Sequence, residues 1–211
     1  ALGSACHALA ARMIRVAIDS KSIGDTKVLG CVRFGIAKGE TLAVVGPSGV
    51  GKTTLLRVLA GLDTEFEGQV EVPERCAMVF QEPALLPWRS AVQNLTLVTG
   101  VSDAAARAAL GEVGLRDLAD RFPGQHSLGQ RRRLSLARAF SAAPDMLLMD
   151  EPFVSLDAPL VEEMLELTES LLASRSIATV FVSHAMEEAQ RLATRIVRLT
   201  GSPAVLDDPA P

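Results

Sequence analysis

From residue 14 onward, apolar and polar positions alternate weakly over residues 14–18 and again over 32–36. This period of two predicts strands of a small antiparallel sheet. After the polar turn Lys38-Gly39-Glu40, residues 41–45 run almost unbroken apolar up to Gly46, as expected for a strand buried on both faces of a parallel sheet. Leu55, Leu56, Val58, Leu59 and Leu62 then recur at helical spacing, with Gly61 as a stop near the end. Short strands are predicted at 70–72 and 77–80, separated by Pro73-Glu74-Arg75.

Between Glu82 and about Gly129 the pattern changes. Pro83, Pro87, Gly100, Gly114, Pro123 and Gly124 punctuate Ala-rich helical pieces, one of them over residues 103–113 with Ser102 as its N-cap. This stretch reads as a helical lobe, about 82–130, inserted into an α/β core. The core resumes with a helix at 129–141, a turn at Pro144-Asp145, and a second buried strand at 146–149 that ends on Asp150. An amphipathic helix at 162–172, a strand at 177–182, a helix at 186–193 and a closing strand pair at 196–199 and 204–206 around Gly201 complete the chain. No internal repeat or low-complexity segment interrupts it.

Composition narrows the classes of protein this pattern can belong to. The 211 residues suit one domain, and 48% apolar with 22% charged residues suffices for a core and excludes a disordered or collagen-like chain. The formal charge of −4, with Arg131, Arg132 and Arg133 as the one basic run, argues against a nucleic-acid binder. That triplet is expected to form the exposed, ion-pairing face of its helix. Mean hydropathy is +0.26, yet no stretch approaches the roughly 18 apolar residues of a membrane span. Cys6, Cys31 and Cys76 are widely spaced without a zinc pattern and read as reduced thiols. Residues 1–11 are expected to be a loose leader and 207–211 a frayed end, with the domain spanning 12–206.

Two segments carry chemistry. Gly46-Pro47-Ser48-Gly49-Val50-Gly51-Lys52-Thr53 matches G-x-x-x-x-G-K-[ST] and lies between a buried strand and a helix, where backbone N–H groups can converge on phosphate. Lys52 would reach the β- and γ-phosphates, the Thr53 hydroxyl would ligate Mg²⁺, and Thr54 would add to the nucleotide contacts. The apolar run 146–149 delivers Asp150 and Glu151 to the carboxyl edge of a parallel sheet, where ligands bind. Asp150 would hold Mg²⁺, and Glu151 would orient or deprotonate the attacking water.

Over residues 14–206 the chain resembles the ATPase subunits of ABC transporters. The resemblance implies a RecA-like P-loop NTPase: an α/β fold with a mostly parallel sheet, a small antiparallel β lobe and the inserted helical lobe. It further implies that Gln81, in Val79-Phe80-Gln81-Glu82-Pro83, bridges the Mg²⁺ site and the helical lobe. Ser127-Leu128-Gly129-Gln130 is similar to the signature loop, whose Ser127, Gly129 and Gln130 would cap the γ-phosphate bound by the opposite protomer. Val154-Ser155-Leu156-Asp157 resembles the D-loop that crosses the dimer interface, and His184 the switch histidine that contacts the γ-phosphate. The segment from Gln81 to Trp88 is similar to that of importers of nitrate, sulfonates and taurine. Trp88, with Leu85 and Leu86, would either dock a helix of the permease or pack inside the lobe.

Three departures qualify the resemblance. The signature reads His126-Ser127-Leu128-Gly129-Gln130, with Leu128 where the family has its first glycine; a position that needs positive φ or a bare backbone would leave Leu128 strained or crowding the nucleotide. Ile23 stands where the family commonly stacks an aromatic ring on adenine. The stretch between Lys52 and Gln81 is short, implying a trimmed β lobe, and no regulatory domain is expected after His184. The resulting expectation is an ATPase binding ATP and Mg²⁺ at the cytoplasmic face of a membrane, where it powers anion import. It would pair with itself or a second ATPase, and would work with a transmembrane permease and indirectly a solute-binding protein. The alternative is a weakly hydrolysing regulatory partner.

Overall fold

A computed structural model of the chain describes residues 14–207. The expected leader lies outside the described residues, as does all of the expected frayed end except Asp207. The strands are β1 (Ile14–Ile23), β2 (Thr26–Leu29), β3 (Val32–Ile36), β4 (Thr41–Val45), β5 (Glu67–Glu71), β6 (Cys76–Val79), β7 (Met146–Asp150), β8 (Ala178–Ser183), β9 (Arg195–Gly201) and β10 (Ala204–Asp207). The α-helices are α1 (Lys52–Leu59), α2 (Ala91–Thr99), α3 (Asp103–Glu112), α4 (Leu128–Ser141), α5 (Ala158–Ala173) and α6 (Met186–Leu192).

The expected sheet division is observed. Strands β9, β4, β8, β7 and β6 run parallel in that order. Strand β1 pairs antiparallel with β2, β3 and β5 to form the β lobe, which joins the parallel part through β10. Helices α2 and α3, with two single turns of 3-10 helix, lie between β6 and β7 in the chain.

The uninterrupted apolar runs are explained by burial on both faces. In β4, Ala43 and Val45 enter one core, shared with α2, α3, α4 and α5, while Leu42 and Val44 enter a second, shared with α1 and the β lobe. Strand β7 divides the same way: Leu147 and Met149 point to the first core, Met146 and Leu148 to the second. Asp150 has the parity of Met146 and Leu148 and therefore emerges on the α1 side. The period of two thus decides which helix the carboxylate meets.

Several elements differ from expectation. The 14–18 strand extends to Ile23 and turns back as β2, because Gly24-Asp25 makes a two-residue hairpin turn. Helix α5 starts at Ala158, where the Asp157 carboxylate accepts from the Leu160 N–H at 3.1 Å and Pro159 occupies the first turn. Ser90 caps α2 with a reciprocal bond to Gln93. The cysteines do not differ: Cys31 and Cys76 are free, Cys6 lies outside the described residues, and burial pushes the Cys76 thiol up to about 11.

Candidate functional site

Register brings the chemical residues to one edge. Val44 pairs with Val182 and Val182 with Asp150, while Val45 pairs with Ser183, so the three strands end level. Gly46, Glu151 and His184 leave the sheet together at that edge. Strand β8 intervenes between β4 and β7, so the phosphate loop and Asp150 are separated by roughly 10 Å of sheet, a gap that α1 spans.

At this edge an open cavity of about 470 Å³ is lined by Ser48, Gly49, Gly51, Lys52, Thr53, Thr54, Gln81 and Glu151, with Ile23 and Val28 at its β-lobe side. Gly51 caps α1 at φ 112°, and a Cβ there would come within 2.9 Å of the Leu29 side chain. Glycine is needed twice over, for conformation and for space. The first N–H groups of α1 have no partner within the helix and carry its positive dipole end.

Lys52 is 4% exposed. Its Nζ donates to the carbonyls of Gly46 (2.9 Å) and Pro47 (3.1 Å) and lies 3.2 Å from Glu151 Oε1. His184 Nδ1 is 2.8 Å from Glu151 Oε2, so one carboxylate is oriented by two nitrogens. Glu151 itself stands at φ 43°, a left-handed conformation that costs a non-glycine residue about 1–3 kcal/mol and is held by its N–H bond to the Val182 carbonyl at 3.1 Å. Thr53 donates its hydroxyl to Asp150 Oδ1 at 3.0 Å. Burial raises the Asp150 carboxyl above its ordinary value, and the neighbouring Glu151 charge adds to this against the Thr53 bond and Lys52.

The residues expected to act in trans lie elsewhere. Ser127, Leu128, Gly129 and Gln130 line a second cavity of about 590 Å³ with Ser155, Leu156, Asp157 and Leu160. Ser127 Oγ accepts from the Gln130 N–H at 3.2 Å while Gln130 Oε1 accepts from the Ser127 N–H at 3.0 Å, so the hydroxyl proton of Ser127 stays available to donate. Gly129 permits close packing within the chain as well, since a Cβ there would meet Leu160 at 2.9 Å.

The structure decides three points that the sequence left open or misplaced. Leu128 is the first residue of α4 with ordinary helical backbone, absent from the residues at positive φ, so no strain attaches to it. The basic triplet is not an exposed face throughout: Arg132 is 5% exposed and donates to main-chain carbonyls, whereas Arg133 makes an ion pair of the expected kind, with Glu163, and also bonds the Val113 carbonyl. Trp88 is 67% exposed and does not pack inside the lobe, although Leu85 does contact the core.

Sequence reasoning missed Val28, which joins Ile23 at the cavity because β2 returns beside β1. It also missed Asn94, fully buried, whose side chain accepts from the Leu86 N–H (2.8 Å) and donates to the carbonyls of Leu86, Arg89 and Ser90. A lone polar residue on the apolar face of α2 was the available signal for it.

Comparison with known proteins agrees with this geometry. A family model described as ABC transporter matches residues 29–154. The aliphatic sulfonates import ATP-binding protein of Mycobacterium sp. (strain MCS) is 44% identical over 206 residues, covering 94% of this chain and 84% of that protein. Its namesake in Granulibacter bethesdensis is 45% identical over 183 residues, covering 85% of this chain and 76% of the relative. That of Agrobacterium fabrum is 44% identical over 196 residues, covering 89% and 71%. No helix among the described residues is long and apolar enough to cross a membrane. With the phosphate loop, Asp150 and Glu151 assembled at one sheet edge, the chain belongs to the ABC transporter family, as an ATP-hydrolysing subunit that works with membrane-spanning permease components.

Proposed function

We propose that the chain powers import of an aliphatic sulfonate or related small anion, hydrolysing ATP in composite sites formed by two copies at the cytoplasmic face of the membrane. The observation that carries this reading is the placement of Glu151 between Lys52 and His184, beside the Asp150–Thr53 pair. The solute class is supported by the names of the relatives, which are aliphatic sulfonates import proteins.

Water attacks the γ-phosphorus in line with the bridging oxygen, the bond to the β-phosphate breaks, and the water proton passes to the Glu151 carboxylate. Lys52 offsets the charge of the β- and γ-phosphate oxygens, and His184 holds Glu151 Oε2 in place. Thr53 Oγ1 and Asp150 Oδ1, 3.0 Å apart and both hard oxygen donors, fit Mg²⁺ together with Gln81, and the ion would neutralise phosphate charge. Ser127, Gly129 and Gln130 of one copy complete the phosphate site of the other, with Asp157 at the interface. The ordinary backbone of Leu128 supports a homodimer in that no strain at this position calls for a second, different ATPase. Adenine meets aliphatic Ile23 and Val28, which supply apolar contact without stacking. The exposed Trp88, on a loop pinned by Asn94, supports docking of the permease there, with a solute-binding protein reached through it.

The test is ATP turnover of the wild-type chain and of Glu151→Gln, with the light-scattering mass of Glu151→Gln read with and without ATP. A general base contributes about 10²–10⁴-fold, so the variant should lose turnover on that scale and double in mass with ATP. A wild-type chain without turnover, or a variant with normal turnover, refutes the reading.

A further inference from the structure

Arg132 is a buried cation that forms no ion pair with a carboxylate among the described residues. Its Nη1 donates to the Gln81 carbonyl, its Nη2 to the Val154 carbonyl at 3.1 Å, and its Nε is buried without a partner. Burying a guanidinium against neutral carbonyls is costly, and a neutral side chain of similar length would fill the place more cheaply. Burial lowers its pKa and the charge of Glu82 partly offsets this, but a guanidinium stays protonated throughout the useful pH range.

One carbonyl belongs to a segment that lines the phosphate-loop cavity, and the other to a connection that reaches both cavities. Gln81 lines the phosphate-loop cavity. Val154 lies on the connection that begins at Glu151 in that cavity and ends at Asp157 in the other. Arg132 itself sits three residues beyond Gly129 on α4, about 4.5 Å along the axis, within one turn of the signature residues. A second arginine of α4, Arg138, donates to the carbonyls of Ala84 (2.8 Å) and Pro83 (3.0 Å). The loop from Gln81 to Ala84 is thereby fastened to α4, and of these two arginines Arg132 carries the fastening onward to the Val154 segment.

We propose that Arg132 is a positioning residue that holds Gln81, the Glu151–Asp157 connection and the signature end of α4 in one register, so that hydrolysis rather than nucleotide affinity depends on its two-pronged guanidinium. This rests on the ATPase reading above. A lysine retains the charge and can hold one carbonyl, but a single ammonium lacks the planar fork that reaches both.

The experiment compares full-length wild type, Arg132→Lys and Arg132→Gln for kcat and KM with ATP, and for melting temperature. Expected is a kcat lowered about tenfold or more in both variants with KM within about threefold of wild type, and in Arg132→Lys a melting temperature near that of wild type. The proposal is overturned if either variant keeps kcat within threefold, if KM rises as much as kcat falls, or if Lys restores turnover along with stability. It is equally overturned if both variants melt below the assay temperature, because Arg132 is then needed for the fold itself. A wild-type chain without turnover overturns the ATPase reading and this proposal with it, whereas active variants beside an active wild type overturn this proposal alone.

Discussion

Leu128 separates two opposite physical accounts, and substituting it decides between them. At the position where the resembled signature has glycine, a leucine held at positive φ would store about 1–3 kcal/mol of strain. The structure instead gives Leu128 helical backbone as the first residue of α4, 38% exposed. The comparison of Leu128→Ala with Leu128→Gly isolates the backbone, since both remove the same apolar side chain beyond Cβ. In helical conformation glycine is less stable than alanine by about 0.5–1 kcal/mol. At 211 residues each kcal/mol corresponds to about 2–4 °C, so the glycine variant should melt about 1–4 °C below the alanine variant. Both should lie below wild type, because about three-fifths of the leucine is covered, which is worth roughly 1–2 kcal/mol. Differential scanning calorimetry at one pH and salt concentration reads all three. A glycine variant that melts above the alanine variant refutes the helical assignment and restores the strain account.

Two further predictions concern other parts of the molecule. Because burial raises the Asp150 pKa, the folded state binds its proton more tightly than the unfolded chain, and stability is lost as pH rises from the ordinary carboxylate value through the raised one. Asp150→Asn, which still accepts from Thr53, should therefore melt above wild type at pH 7.5, converge with it below about pH 4, and have no ATP turnover. A lower melting temperature at pH 7.5 would show that attraction to Lys52 outweighs burial. Trp88→Ala should leave melting and the ATPase of the free chain within error, since the ring is exposed, while weakening capture of the chain by its permease at least tenfold in a pull-down titration. Equal capture of variant and wild type would remove Trp88 from the interface.

Local pattern alone was enough for much of this protein. Burial on both faces leaves continuous apolar runs at residues 41–45 and 146–149, and these mark the parallel strands whose ends carry the phosphate loop and the two carboxylates. The phosphate loop is legible for the same reason: its residues act through one continuous backbone curl, so spacing along the chain is spacing in space. What the tertiary structure decided are contacts between residues far apart in sequence. The bridge from Lys52 to Glu151 and on to His184 follows from strand order and level strand ends, which no local periodicity encodes. The place of Val28 at the cavity and the burial of Arg132 depend on partners far along the chain, while Asn94 bonds the loop just before its own helix, a contact that apolar periodicity does not register. Whether Leu128 stands at positive φ was likewise left to the tertiary structure, since it depends on where the helix starts, and the Ser127–Gln130 capping box starts it at Leu128. Sequence thus determined which groups are present and which local conformations they favour. Only the folded sheet, through its pairing order and register, determined which of them meet.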